Sequence, residues 1–169
     1  PQLGEVELGG WDAMYAWRNP PPQFLEKEVA PHSDWIIWQA LASPKLEIHA
    51  TQVIGEGSGK ERVSVVRMVV DNTGWLPTYV TKLAKEKKLT RGVIAEIELS
   101  PNLELLSGKL REEGPELEGR SLLPVMGFGW LTEGTDHRHV FQWTVKGEGK
   151  VKLQAFHERA GKVSAEVET

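Results

Sequence analysis

His137 and His139 flank Arg138 just ahead of an apolar run, with Asp136 beside them. In an extended backbone residues i and i+2 share a face, so two imidazoles placed this way could grip one metal ion. A zinc centre needs a third protein ligand, and no spacing in the chain suggests one. The alternative is a polar turn entering a strand. His32, His49 and His157 stand alone, and the apolar alternation around His49 and His157 predicts sheet-face positions for both. Gly57-Ser58-Gly59-Lys60 resembles part of a phosphate loop, but the full G-x-x-x-x-G-K-[ST] pattern is absent and no helix pattern follows. Ser107 and Ser121 have no paired base. Glu112, Glu113, Glu116 and Glu118 make an acidic loop whose oxygen spacing matches no calcium loop, so solvated carboxylates are expected. With no cysteine there are no disulfides, thiolate metal sites or cysteine nucleophiles. No catalytic, cofactor-binding or metal-ligating residue is assigned.

Seven tryptophans are many for 169 residues. Trp11, Trp17, Trp35 and Trp38 cluster near the start, and Trp75, Trp130 and Trp143 lie further on. Aromatics exposed on a sheet would stack on sugars, whereas buried ones supply core and interface area. The N-terminal cluster suggests packing against a protein surface. A net charge of −4 argues against nucleic acid as partner, because phosphate binding needs a basic field. No apolar run approaches the roughly 18 residues that span a bilayer, so no membrane partner is expected. The chain opens on Pro1 rather than Met, from which an internal piece of a longer polypeptide is expected. Nothing names a compartment.

The elements that must position these residues fall into two parts. Glu5 to Leu8 alternates like a short strand, and Pro20-Pro21-Pro22 stiffens the chain before a helical pattern that runs through Phe24, Leu25, Val29, Trp35, Ile36, Trp38 and Leu41. Pro31 is expected to kink or split that helix, with Ser33 or Asp34 capping the restart and Pro44 closing it. From Leu46 the period becomes two. Leu46, Ile48 and Val53 mark one strand and Val63, Val65, Arg67, Val69 and Asp71 the next, joined through Gly55 to Lys60 with hairpin chemistry. Thr78 to Lys88 reads as a second helix with Val80, Leu83 and Ala84 inward and lysines outward. Further strands are expected at 93–99, 103–107, 109–112, 127–131, 140–145, 151–157 and 163–167, spaced by turn residues as in an antiparallel sandwich.

The most distinctive stretch is Val69-Val70-Asp71-Asn72-Thr73-Gly74-Trp75-Leu76-Pro77-Thr78-Tyr79-Val80: a strand, a turn, and a Pro-Thr step that predicts a helix start. Trp75 is expected to anchor the inserted helix or to serve core packing alone, and truncation of a buried indole there would lower thermal stability. Pro1-Gln2-Leu3-Gly4-Glu5-Val6-Glu7-Leu8-Gly9-Gly10-Trp11-Asp12, then Asn19-Pro20-Pro21-Pro22 and the helix to Pro44, resemble the downstream end of bacterial zinc carboxypeptidases of the M14 class. In that group a histidine commonly precedes the Pro-Gln-Leu-Gly step, and here it would precede Pro1. Asp71 to Thr78, Ser107-Gly108-Lys109 and Leu117-Glu118-Gly119-Arg120 resemble the β-rich extension that follows the peptidase domain. The order of these motifs along most of the chain carries the resemblance.

The family's zinc site uses His-x-x-Glu plus a distant His, which leaves a position for water. No histidine here is followed three positions later by glutamate, and Glu5 and Glu7 do not match the family's catalytic glutamate. The resemblance therefore implies a chain that is not itself an enzyme. Residues 1–44 would be the tail of a peptidase domain, extended and then helical. Residues 45–169 would form a mainly β accessory domain, an immunoglobulin-like antiparallel β-sandwich with one inserted helix. Zinc and peptide substrate would belong to the parent, and the upstream peptidase domain of the same polypeptide would be the partner. The alternative function is an independent module recruiting the protein to glycan or to a protein partner.

Overall fold

A computed structural model describes residues 4–5, 10, 13–79, 81–120 and 136–169. The chain divides into two compact units, Pro1–Leu41 and Ala42–Thr169. In the first, a short π-helical turn, Ala13–Arg18, precedes α1, Pro22–Leu41. Pro22 sits at the first helical position, where its missing N–H costs nothing. The expected break at Pro31 does not occur: α1 runs through it, although proline removes the bond to the carbonyl four residues earlier. None of the α1 residues is buried, and Phe24, Trp35, Ile36, Ile37, Trp38 and Leu41 are all more than half exposed.

The second unit is the β-sandwich. Its strands are β1 Leu46–Glu56, β2 Val63–Asn72, β3 Ile94–Leu99, β4 Glu104–Ser107, β5 Arg111–Glu113, β6 Arg138–Lys146, β7 Lys150–His157 and β8 Gly161–Glu168. One antiparallel sheet has the order β1-β2-β6-β4 and the other β5-β3-β7-β8. These are the A-B-E-D and C-F-G arrangements of an immunoglobulin-like sandwich, with β5 added outside the C position. The chain crosses from β3 to the opposite sheet for β4 and returns for β5, a Greek-key excursion.

Both inner faces follow the period of two. Val66, Met68 and Val70 of β2 meet Phe141, Trp143 and Val145 of β6, and the second sheet supplies Ala95, Ile97, Val151, Leu153 and Ala155. Trp143 is fully buried, stacks on Phe141 at 6.1 Å and donates from Nε1 to the Lys109 carbonyl at 2.9 Å. In β2 the buried face carries the even-numbered residues, opposite to the set Val63, Val65, Arg67, Val69 that marks its alternation. The odd spacing from Ile48 to Val53 has a cause: the register with β2 slips between Ile48 and Ala50, so His49 is the extra residue of a β-bulge.

The inserted helix is shorter than the sequence pattern. α2 spans Lys82–Glu86, and its cap is Thr81, whose hydroxyl accepts from the Ala84 N–H at 3.1 Å. Leu83 points outward at 56% exposure, not inward, and Val80 lies outside the described residues. The helix ends in a Schellman turn: the Leu89 N–H donates to the Ala84 carbonyl and the Lys88 N–H to the Lys85 carbonyl. Lys88 occupies the left-handed position of that turn at φ 54°, where glycine is usual. The strand expected at 127–131 and most of the one at 5–8 lie outside the described residues.

Candidate functional site

The Asp71–Tyr79 signature closes one end of the sandwich, and Asn72 is its hub. The side chain is fully buried. Its Oδ1 accepts from the Lys45 N–H at 3.0 Å and the Gly74 N–H at 3.1 Å, while Nδ2 donates to the Leu76 carbonyl at 2.9 Å and the Glu118 carbonyl at 3.0 Å. One amide thus ties the entry to β1, the turn after β2 and the 116–120 segment, with all four of its bonds made. Gly74 and Gly119 permit the approach. A Cβ on Gly74 would lie 2.3 Å from the Ser43 carbonyl oxygen, and one on Gly119 would lie 2.2 Å from that of Trp75.

Thr78 does not start a helix. It is buried, its N–H donates to the Leu117 carbonyl at 2.9 Å, and its hydroxyl accepts from the Leu117 N–H at 2.8 Å while donating to Glu116 Oε2 at 2.6 Å. Tyr79 donates its phenol proton to Glu118 Oε2 at 2.6 Å, and Lys85 reaches Glu118 Oε1 at 3.2 Å from above the Tyr79 ring. Burial foremost, then the Glu118 hydrogen bond and charge, pushes the Tyr79 phenol up to about 12. Glu116 and Glu118 are therefore not solvated carboxylates. Their side chains are only 10% and 13% exposed, and they pair across 38 and 39 residues of sequence. Sequence reasoning missed them because an acidic run carries no mark of such distant partners.

The histidines take separate roles. His137 Nε2 lies 4.0 Å from Asp71 Oδ1, and His49 Nδ1 lies 4.0 Å from Asp71 Oδ2. Arg138 donates from Nε to the same Oδ2 at 3.0 Å. His139 instead meets the Phe141 ring edge-on at 4.7 Å, and burial holds its imidazole below the usual histidine range against the opposing pull of Glu112. The two imidazoles are thus not brought onto one ion, and among the described residues no group of three His, Asp or Glu is arranged to hold a metal. His157 is buried, and its Nδ1 accepts from the Arg159 N–H at 3.1 Å. That bond leaves the ring proton on Nε2, which donates to the Arg91 carbonyl at 3.0 Å with Glu116 Oε2 at 3.5 Å.

Elsewhere, Ser58 precedes a single 3₁₀ turn, Gly59–Glu61, without capping it, and the Gly59 N–H donates to the Glu148 carboxylate at 2.8 Å. An open depression of about 590 Å³ beside this turn is lined by charged and polar residues, of which Lys146 and Glu61 pair at 2.7 Å. Ser107 ends β4 on the surface, and Ser121, Trp11 and Trp130 lie outside the described residues. Trp75 is 59% exposed, so it does not anchor α2 by burial, and the expected stability loss on its truncation falls away. Trp35 and Trp38 stack on each other at 5.1 Å along exposed α1.

The fold and the Asn72-centred clasp of Asp71–Tyr79 on the 116–120 segment define an immunoglobulin-like β-sandwich whose signature residues bind one another. Residues 45–168 match the model of a family described as Domain of unknown function (DUF8731), and the chain belongs to that family. No curated protein matches it.

Proposed function

We propose that residues 45–168 act as a non-catalytic accessory domain of a zinc-dependent metallocarboxypeptidase, buttressing or shaping the peptidase domain of the same polypeptide. One observation supports this reading most. Within the stretch that resembles the β-rich extension, Asp71–Thr78 with Leu117–Arg120, the buried side chains of Asn72 and Thr78 are committed to holding the sandwich closed, with Asn72 as hub. A signature of this kind preserves a shape rather than a reaction. Zinc and peptide substrate then belong to the parent's catalytic domain. The exposed apolar residues of α1 fit the same reading, since a helix without a buried face needs a surface to cover it.

The test is peptide hydrolysis and zinc content in the polypeptide at its natural length, with residues 45–168 present or deleted. The account expects C-terminal trimming with bound zinc in the intact form. Deletion should keep the zinc ligands while lowering stability or turnover. Absence of both zinc and trimming from the intact form refutes it. The recruiting-module reading draws on a single feature, the exposed indole of Trp75. That indole sits at a turn and not in a row of aromatics on a sheet face, which favours a protein contact over a sugar platform.

A further inference from the structure

The outer face of the second sheet holds two guanidinium groups over an apolar floor. Ile94 and Phe156 pair across β3 and β7, on the side opposite the core pair Ala95 and Ala155. Ile94 is only 7% exposed although it faces outward. Arg111 of β5 reaches over the pair: its Nη1 donates to Glu96 Oε1 at 2.6 Å, and its guanidinium carbon lies 5.6 Å from the centre of the Phe156 ring. Beside it is a depression of about 290 Å³ whose lining brings together Arg91, Arg111, Ile94 and Phe156, with Glu158 as its acidic residue. An adjoining depression of about 420 Å³ shares Arg91, Ile94 and Arg111 and adds Lys109, Glu112 and Glu113. Two cations against one carboxylate in the first, and three against two in the second, leave each with one net positive charge in a chain of net charge −4.

Arg62, Arg67, Arg111, Arg138 and Arg159 each have a protein acceptor for the guanidinium. In the sandwich Arg91 and Arg120 have none among the described residues, and of the two Arg91 lines the depression. Its backbone is nonetheless fixed. The Arg91 carbonyl accepts from buried His157 Nε2 at 3.0 Å, the Gly92 N–H donates to Glu113 Oε1 at 3.2 Å, and the Gly114 carbonyl leaves no room for a Cβ on Gly92. Glu113 is engaged by that bond, and Glu112, opposite Ala95, faces the core side, where its charge acts on His139. A free planar fork beside a fixed one, above an apolar floor, is suited to a carboxylate carried on an apolar body. One net positive charge matches one negative charge, whereas a phosphate dianion would bring a second beside Glu158. We propose that this depression is a binding site for a small organic monocarboxylate, its apolar body on Phe156 and Ile94 and its carboxylate held by Arg91 with Arg111. The site lies within residues 45–168 and is independent of the peptidase reading.

Titration of residues 1–169 with phenylacetate, followed through the amide signals of Gly92, Ile94 and Phe156 in nitrogen-15 NMR spectra, tests this. The proposal expects saturable shifts at these residues. Arg91→Gln should weaken binding about tenfold, as for the loss of one charge-assisted hydrogen-bonded pair, with the melting temperature unchanged because the guanidinium supports no other group. On the unaltered protein, phenylacetamide, which keeps the ring and lacks the charge, should bind about tenfold more weakly than phenylacetate, and so should inorganic phosphate. The absence of saturable shifts at tens of millimolar phenylacetate overturns the proposal. So does undiminished binding in Arg91→Gln. Phenylacetamide binding as well as phenylacetate would reduce the site to an apolar hollow, and phosphate binding as well would reduce it to a bare anion site. Either result also overturns the proposal.

Discussion

Replacing Asn72 with alanine removes four hydrogen bonds at once, and the structure gives the scale of the loss. The Gly74 N–H is left in a buried position without an acceptor, at ~1–3 kcal/mol. The bonds to Lys45, Leu76 and Glu118 join segments that water reaches more easily, so each contributes ~0.5–1.5 kcal/mol net. Together these predict a loss of roughly 3–7 kcal/mol, against total stabilities of ~5–15 kcal/mol for a domain. For a unit of this size that corresponds to a melting temperature lower by about 10–25 °C, read by calorimetry or near-ultraviolet circular dichroism. Asn72→Asp sharpens the test. It turns a carboxylate oxygen toward the Leu76 and Glu118 carbonyls, where the native amide donates, so it should be at least as damaging at neutral pH. A melting temperature within about 3 °C of the wild type for Asn72→Ala would refute the hub, because one orphaned buried donor alone exceeds that.

Other predictions follow from single residues. Trp143→Ala should destabilise the sandwich by ~3–5 kcal/mol in denaturant titration, because the indole is fully buried and its N–H is paired with Lys109. Lys88→Gly should raise stability by about 1 kcal/mol in the same assay by relieving the left-handed strain, and a loss instead would show the lysine side chain to be structurally engaged. Tyr79, held at about 12 in the folded state, stays protonated while the unfolded phenol ionises near 10. Its contribution to stability is therefore complete below pH ~10 and lost as pH rises towards 12, and Tyr79→Phe should flatten that decline in alkaline unfolding curves.

The final hairpin was legible because β7 and β8 alternate cleanly around a turn at Arg159-Ala160-Gly161. The strand positions of β3, β4 and β6 followed from the same alternation between turn residues. The buried face of β2 was not legible, since Val63, Val65 and Val69 on one side look as apolar as Val66, Met68 and Val70 on the other. Only pairing with β1 and β6 decides between them. The bulge at His49 leaves a trace, the five-residue step from Ile48 to Val53, which reads as a phase error until the register is known.

The clasp was visible as a signature but not as a mechanism. Asn72 and Gly74 read as turn residues, whereas the partners that explain them lie in the 42–45 and 116–120 segments. The Pro77-Thr78 step reads as a helix start, but the Thr78 N–H and hydroxyl are taken by Leu117 and Glu116, and the cap falls to Thr81, three residues on. Proline at 31 reads as a helix break, yet α1 continues through it with only the bond to the Lys27 carbonyl forgone.

The most direct test of the central claim, that the histidines and carboxylates of this domain are structural, is calorimetric titration of residues 1–169 with zinc, alone and as His137→Ala/His139→Ala. The account predicts no stoichiometric binding and no difference between the two. One zinc bound per chain, lost in the double variant, would contradict it and place a metal centre beside Asp71.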